Sequence, residues 1–216
     1  MRINRYIALC SGLSRRAVDQ LISHGHVQVN NIPATIGSQV TDTDHVTLDG
    51  KPLQRPVVSK TVLLNKPVGY VCSRNGQGSK TIYDLLPAEL HALKPVGRLD
   101  KDSSGLILLT TDGALAQKLT HPSQQKQKVY RIELDKPLQS PDQHMIGQGI
   151  RLEDGLSRLK LTGHGRLWVI SMHEGRNRQI RRTFAALGYT VRSLHRTQFG
   201  PYLLNPTLLA GSFLTL

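Results

Sequence analysis

The stretch GRLDKDSSGLILLTTDG, residues 97–113, sets Asp100 between Arg98 and Lys101 and follows it with Asp102 and Asp112. A carboxylate with cations a few ångströms away stays ionised even when partly removed from water, the state that a nucleophile or general base requires. Asp100 is therefore the first candidate for chemistry, set against the plainer reading of a turn carboxylate. Asp102, in the same loop, reads as solvated, and Asp112, before Gly113, reads as the turn that ends a strand. Two-carboxylate glycosidic chemistry fits poorly, because a strand rising about 3.3 Å per residue would hold Asp100 and Asp112 far apart. Metal-assisted chemistry would need acids gathered from several segments. What remains is one aspartate amid cations.

The composition says what such a residue would act on. The 216 residues carry 28 Lys and Arg against 15 Asp and Glu, a net charge of +13. Cations without acidic neighbours are suited to phosphates, so the expected partner is a polyanion, nucleic acid first. No apolar run approaches the ~20 residues of a spanning helix, and the N-terminus lacks the apolar centre of a signal peptide, so no membrane role and a cytosolic location are expected. Cys10 and Cys72 are far apart, and His24 and His26 are the one close histidine pair among nine, so no metal site is expected. No G-x-G-x-x-G or Walker A pattern is present, and no cofactor is implied.

The elements that must position these residues fall into two groups. In RINRYIALC, Ile3 and Ile7 share a helical face while Arg2 and Arg5 lie on another; Ser14 then suits the N-cap of RRAVDQLISHG, with Ala17, Leu21 and Ile22 as its apolar stripe. Short strands follow around a turn at Asn30-Asn31 and in HVTLDGKPL, completing a small unit by residue 50. A linker is expected over 51–60, where prolines and basic residues break the periodicity.

From residue 61, TVLLNKPVGYVCS reads as a buried strand, a Lys-Pro turn and a second strand, and KTIYDLLPAEL as a short helix around Ile82 to Leu86. Leu106 to Leu109, QKVYRIEL and LWVISM read as further strands. NRQIRRTFAALG is an amphipathic helix with Ile180, Phe184 and Leu187 on one face, and it carries Arg178, Arg181 and Arg182. After Glu174 there are six arginines and no acid, a charge that nothing nearby in sequence neutralises. The fold class expected is α+β: the small N-terminal unit plus a larger domain over 61–216 with a mainly antiparallel sheet flanked by helices.

The N-terminal stretch SRRAVDQLISHGHVQVNN, behind an R-x-x-R-Y-I helix, resembles the S-four RNA-binding domain. By that resemblance Arg5, Arg15 and Arg16 meet RNA phosphates. Downstream, LNKPVGYVCS at 64–73, GRLDKDSSGLILLTTDG at 97–113, KVY at 128–130 and EGRNRQIRR at 174–182 resemble, in this order, the motifs of the pseudouridine synthases, within the group of RsuA, RluB, RluE and RluF. The resemblance implies a mixed sheet with a central RNA-binding cleft and isomerisation of a uridine in ribosomal RNA, with large-subunit RNA slightly preferred. It assigns catalysis to Asp100, Tyr130 and Arg181, with Arg181 pairing with Asp100. It also implies that Lys66, Arg98, Lys128, Arg176, Arg178 and Arg182 contact RNA. The partner is a structured stem-loop or assembly intermediate of ribosomal RNA, and a monomer suffices. The competing reading is a non-catalytic RNA-binding ribosome assembly factor of the same fold.

Overall fold

The computed structural model describes residues 1–41, 43–54 and 59–216. The chain divides into two compact units, Met1–Ser59 and Lys60–Leu216. In the first, α1 (Ile3–Ser11) and α2 (Arg15–Ser23) precede four short strands, β1 (Val27–Val29), β2 (Ile32–Pro33), β3 (Val46–Leu48) and β4 (Lys51–Pro52). These form an antiparallel sheet in the order β2-β1-β3-β4. The Ser14 hydroxyl accepts from the Ala17 amide and caps α2. Asn30 and Asn31, and then Asp49 and Gly50, adopt the left-handed conformations that a two-residue hairpin needs. The buried stripe of α2 is Val18 and Ile22, while Ala17 and Leu21 sit at its margin, one position round from the expected face. Lys51–Pro52, expected in the linker, pair with Thr47–Leu48; residues 55–58 of that stretch lie outside the described residues.

The second unit runs β5 (Thr61–Lys66), β6 (Lys94–Val96), β7 (Ser104–Thr110), α3 (Gly113–Thr120), β8 (Lys128–Leu134) and α4 (Ser140–Gln148). It continues through β9 (Ile150–Leu152), β10 (Gly155–Ser157), β11 (Lys160–His164), β12 (Leu167–Met172), α5 (Gln179–Ala185), β13 (Val191–Phe199), β14 (Tyr202–Leu203) and β15 (Phe213–Thr215). The nine-stranded sheet follows the order β11-β12-β8-β13-β7-β5-β15, with β14 on β13 and β6 on β7. Its described pairings are antiparallel except β13 with β7. β5 and β7 are covered on both faces, hence their unbroken apolar runs: Leu64 and Ile107 pack with Ile82 and Phe184, while Leu63 and Leu106 pack with Leu119 and Phe199.

The segment after Lys66-Pro67 is not the expected second strand. Val71 makes one isolated bridge to Thr81, and its amide and carbonyl pair with Lys80 and Ile82, so a loop satisfies this backbone. The expected helix around Ile82 is a 3-10 turn, Ile82–Leu85, closed by a capping box between Thr81 and Asp84. Asp112 is punctuation, as read: its carboxylate accepts from the Ala114 and Leu115 amides and caps α3.

Three central strands carry the site. Tyr130 of β8, Arg196 of β13 and Gly105 of β7 lie abreast in register. Gly105 has φ +102°, and a Cβ there would stand 2.2 Å from the Arg196 carbonyl oxygen. Only glycine lets β7 approach β13 this closely, with the Asp100 loop at its end.

Candidate active site

The loop 97–103 between β6 and β7 is held from below by the segment that begins at Lys66. The Lys66 side chain is fully buried, and its ammonium donates to the carbonyls of Pro67 at 3.0 Å, Asp100 at 3.1 Å and Ser103 at 2.6 Å. Burial pushes its pKa below the ordinary lysine value, partly opposed by Cys72, Asp100 and Asp102. The Gly69 amide donates to the Lys101 carbonyl, and the Cys72 sulfur pairs with both the amide and the carbonyl of Leu99 at 3.3 Å. Lys66, expected on RNA, is instead the interior fastening of the Asp100 loop: a lysine on a strand covered on both faces has no route to a phosphate.

From above, α5 supplies arginines. Arg178 opens the helix in a left-handed conformation, φ 46°, that costs an arginine about 1–3 kcal/mol. Its guanidinium clasps both oxygens of Asp102 at 3.0 and 2.9 Å and lies 3.5 Å from Asp100. Arg181 is the inward one, but it meets Asp102, with Nε 3.3 Å from the carboxylate and Nη2 donating to the Asp102 carbonyl at 2.8 Å, while Nη1 donates to Val191. Asp102, expected to be merely solvated, is thus the hub that holds two arginines. The residue beside Asp100 is Arg178, not Arg181, because the carboxylate two positions on occupies Arg181 first. Hydrogen bonding from Arg178, aided by Arg181, holds the Asp102 carboxyl below its usual 3.8.

A lowered carboxyl pKa means that the unfolded chain binds the extra proton first on acidification, so stability falls as pH drops. The Asp102 contribution is complete above pH 3.8 and is lost through the lower native pKa. Urea midpoints measured from pH 6 to pH 2.5 should therefore fall less steeply below pH 4 in Asp102→Asn than in the unaltered protein.

Arg176 and Arg182, expected on RNA, clamp a third acid. Asp154 accepts from Arg182 at 2.6 and 3.1 Å and from Arg176 at 2.9 Å. Arg176 also donates to the Leu156 carbonyl and pairs with Glu174. They tie the β9-β10 hairpin to α5, so the arginine run that looked unneutralised finds its acids upstream. Lys128 is half-buried, its ammonium on the carbonyls of His173 and Glu174, and burial lowers its pKa. Arg98 is exposed. In the N-terminal unit Arg15 and Arg16 are exposed and Arg5 is half-buried, with Arg15 resting on the Asn4 side-chain oxygen.

A cleft of about 680 Å³ opens above the three central strands. It is lined by Arg98, Asp100, Tyr130, Arg178, Arg196 and Phe199 among others, with Met172, Ile180 and Leu194 as apolar walls. Tyr130 is 9% exposed. Asp100 is half-buried, its side chain 36% exposed. Glu174 also lines the cleft, paired with Arg176, so the carboxylate without a close-fitting partner is Asp100; together with one phenol, several cations and apolar walls it suits a planar polar ring and proton transfer beside it. Arg196 had no distinguishing signal in the sequence beyond its place in the arginine count; its strand partner Gly105 is the residue that could have pointed to it.

Residues 60–186 match the family described as RNA pseudouridylate synthase, and residues 1–46 match the S4 domain. The ribosomal large subunit pseudouridine synthase B of Vibrio cholerae is 32% identical over 229 residues, covering 100% of this chain and 71% of that protein. The ribosomal small subunit pseudouridine synthase A of Pasteurella multocida is 34% identical, covering 100% of this chain and 96% of that protein. Further relatives carrying the large-subunit name occur in several bacteria. A solved structure, titled crystal structure of pseudouridylate synthase, superposes with a TM-score of 0.72 at 31% identity, covering 100% of this chain and 96% of that one. Matched over more than half of its length by the family itself and end to end by these proteins, the chain belongs to the RNA pseudouridylate synthases.

Proposed function

We propose that this chain isomerises one uridine of ribosomal RNA to pseudouridine, with large-subunit RNA favoured because most of the similar relatives carry that name. The observation that carries the reading is convergence: Asp100 from the loop before β7, Tyr130 from β8 and Arg178 from the start of α5 line one cleft. The reaction breaks the bond from N1 to the ribose, turns the retained uracil and joins its C5 to C1′. An ionised Asp100 serves whether it attacks the sugar, attacks the base or removes a sugar proton. Arg178 acts on Asp100 directly, and Arg181 acts through Asp102 as a positioning residue. The target must leave its stack to enter the cleft, and Tyr130 offers it an aromatic face.

Residues 1–50 hold the RNA through Arg5, Arg15 and Arg16, and residues 61–216 perform the reaction with Arg98 on a phosphate. The protein acts as a monomer in the cytosol, on a stem-loop or assembly intermediate. Among the described residues no helix is long and apolar enough to cross a membrane. A non-catalytic assembly factor would have no use for a carboxylate and a phenol facing one slot.

In cells lacking the gene, one carbodiimide-dependent reverse-transcription stop in ribosomal RNA should vanish and return with the restored gene. A deletion strain that keeps every stop refutes the ribosomal assignment. Tyr130→Phe should lower the single-turnover rate by roughly 10²- to 10³-fold through loss of the hydroxyl, while RNA binding changes less than about 3-fold because the ring remains.

A further inference from the structure

Arg196 is a buried cation outside every ion pair among the described residues. It is 2% exposed, its Nε donates to the Leu106 carbonyl at 2.8 Å, and its guanidinium lies 4.9 Å from the Phe199 ring centre. Its Nη2 is buried with no hydrogen-bond partner. A guanidinium cannot relieve its burial by shedding a proton, so such a site is costly unless something else brings negative charge. Arg196 lines the cleft with Asp100 and stands in register with Tyr130.

We infer that Arg196 is the group that stabilises the uracil as an anion during the isomerisation; this rests on the function proposed above. When the C1′–N1 bond breaks heterolytically, the bonding pair leaves with N1, and the charge spreads over N1, O2 and O4. Attack of Asp100 on the base would likewise place charge on O4. C5 then bonds to C1′, the C5 hydrogen departs as a proton, and N1 takes one up, so no outside reactant is needed. A preorganised donor in a largely apolar slot is worth most where charge develops. The neighbours Phe199, Leu194, Met172 and Ile180 suit a ring rather than a phosphate, and the exposed cation Arg98 is better placed for a phosphate.

The test uses the full chain and three RNAs whose target position is uridine, 5-fluorouridine or abasic. Arg196→Lys and Arg196→Gln should slow single-turnover isomerisation by about 10²- to 10³-fold while RNA affinity stays within about 3-fold. With 5-fluorouridine the loss in glycosidic cleavage should shrink at least about 10-fold, because fluorine stabilises the anion unaided. Abasic RNA, which keeps its phosphates, should bind variant and unaltered protein equally. Equal losses on uridine and 5-fluorouridine, or weakened binding of both uridine and abasic RNA at an unchanged bound rate, would overturn the inference. If both variants melt more than about 10 °C low, nitrogen-15 spectra of arginine side chains in unaltered protein decide. A buried guanidinium signal should move with uridine RNA and stay still with abasic RNA; movement with both, or with neither, contradicts the role. Unaltered protein that makes no pseudouridine would refute the proposed function itself, a separate outcome.

Discussion

Asp100→Asn is expected to abolish pseudouridine formation, with a single-turnover rate at least about 10⁴-fold lower, the upper range for a positioned base or nucleophile. Asparagine keeps the size and the hydrogen-bonding outline of the side chain but can neither attack carbon nor accept a proton at neutral pH. The fold should hardly notice. The loop around Asp100 is fastened through backbone groups, the carbonyls of Asp100 and Ser103 on Lys66 and the Lys101 carbonyl on Gly69, not through the carboxylate. The carboxylate itself is half in solvent, and its ion pair with Arg178 spans 3.5 Å, so the stability change should stay within about 1 kcal/mol. RNA affinity measured alongside should move less than about 3-fold. A variant that keeps a tenth of the rate would show that the reacting carboxylate lies elsewhere.

Lys66→Met should be the most damaging change away from the reacting groups. Methionine fills most of the lysine stem yet leaves the carbonyls of Pro67 and Ser103 without their donor, while the Asp100 carbonyl keeps only the Ser103 amide. Orphaned buried acceptors cost about 1–3 kcal/mol each, and removing a buried charge offsets part of that. The net expectation is about 2–4 kcal/mol of lost stability, read as a lower urea midpoint. Activity should fall further than stability explains: a reacting group displaced by about 1 Å loses roughly 10²-fold. Single-turnover rates taken well below the unfolding transition separate the two effects. A variant with unchanged rate and lowered midpoint would make Lys66 a purely structural residue.

Features that depend on neighbours in sequence were readable from it. The Ser14 cap, the Asn30-Asn31 turn, the Asp112 cap and the helix that buries Ile180 and Phe184 each follow from residues within a turn of one another. Errors arose where a distant segment decides. Lys66 falls in sequence at a Lys-Pro turn after a buried strand, and nothing in LNKPVGYV shows that its ammonium is taken by the Asp100 and Ser103 carbonyls more than thirty residues on. Arg176 and Arg182 looked free because Asp154 lies more than twenty residues upstream. Asp102 looked solvated because its partners sit on α5. Arg196 was invisible for the same reason, since its meaning comes from lying between β7 and β8. Charge in this molecule is balanced across the fold rather than along the chain, so counting acids near a basic run misjudges which arginines remain for RNA.

The central claim is that this cleft isomerises uridine within RNA and releases nothing. Purified protein incubated with ribosomal RNA lacking modifications, followed by digestion to nucleosides and chromatography with mass detection, tests it directly. The expected result is one pseudouridine per RNA molecule, in large-subunit RNA, with RNA mass unchanged and no free uracil. Free uracil with an abasic site, or RNA bound with every uridine intact, would contradict it.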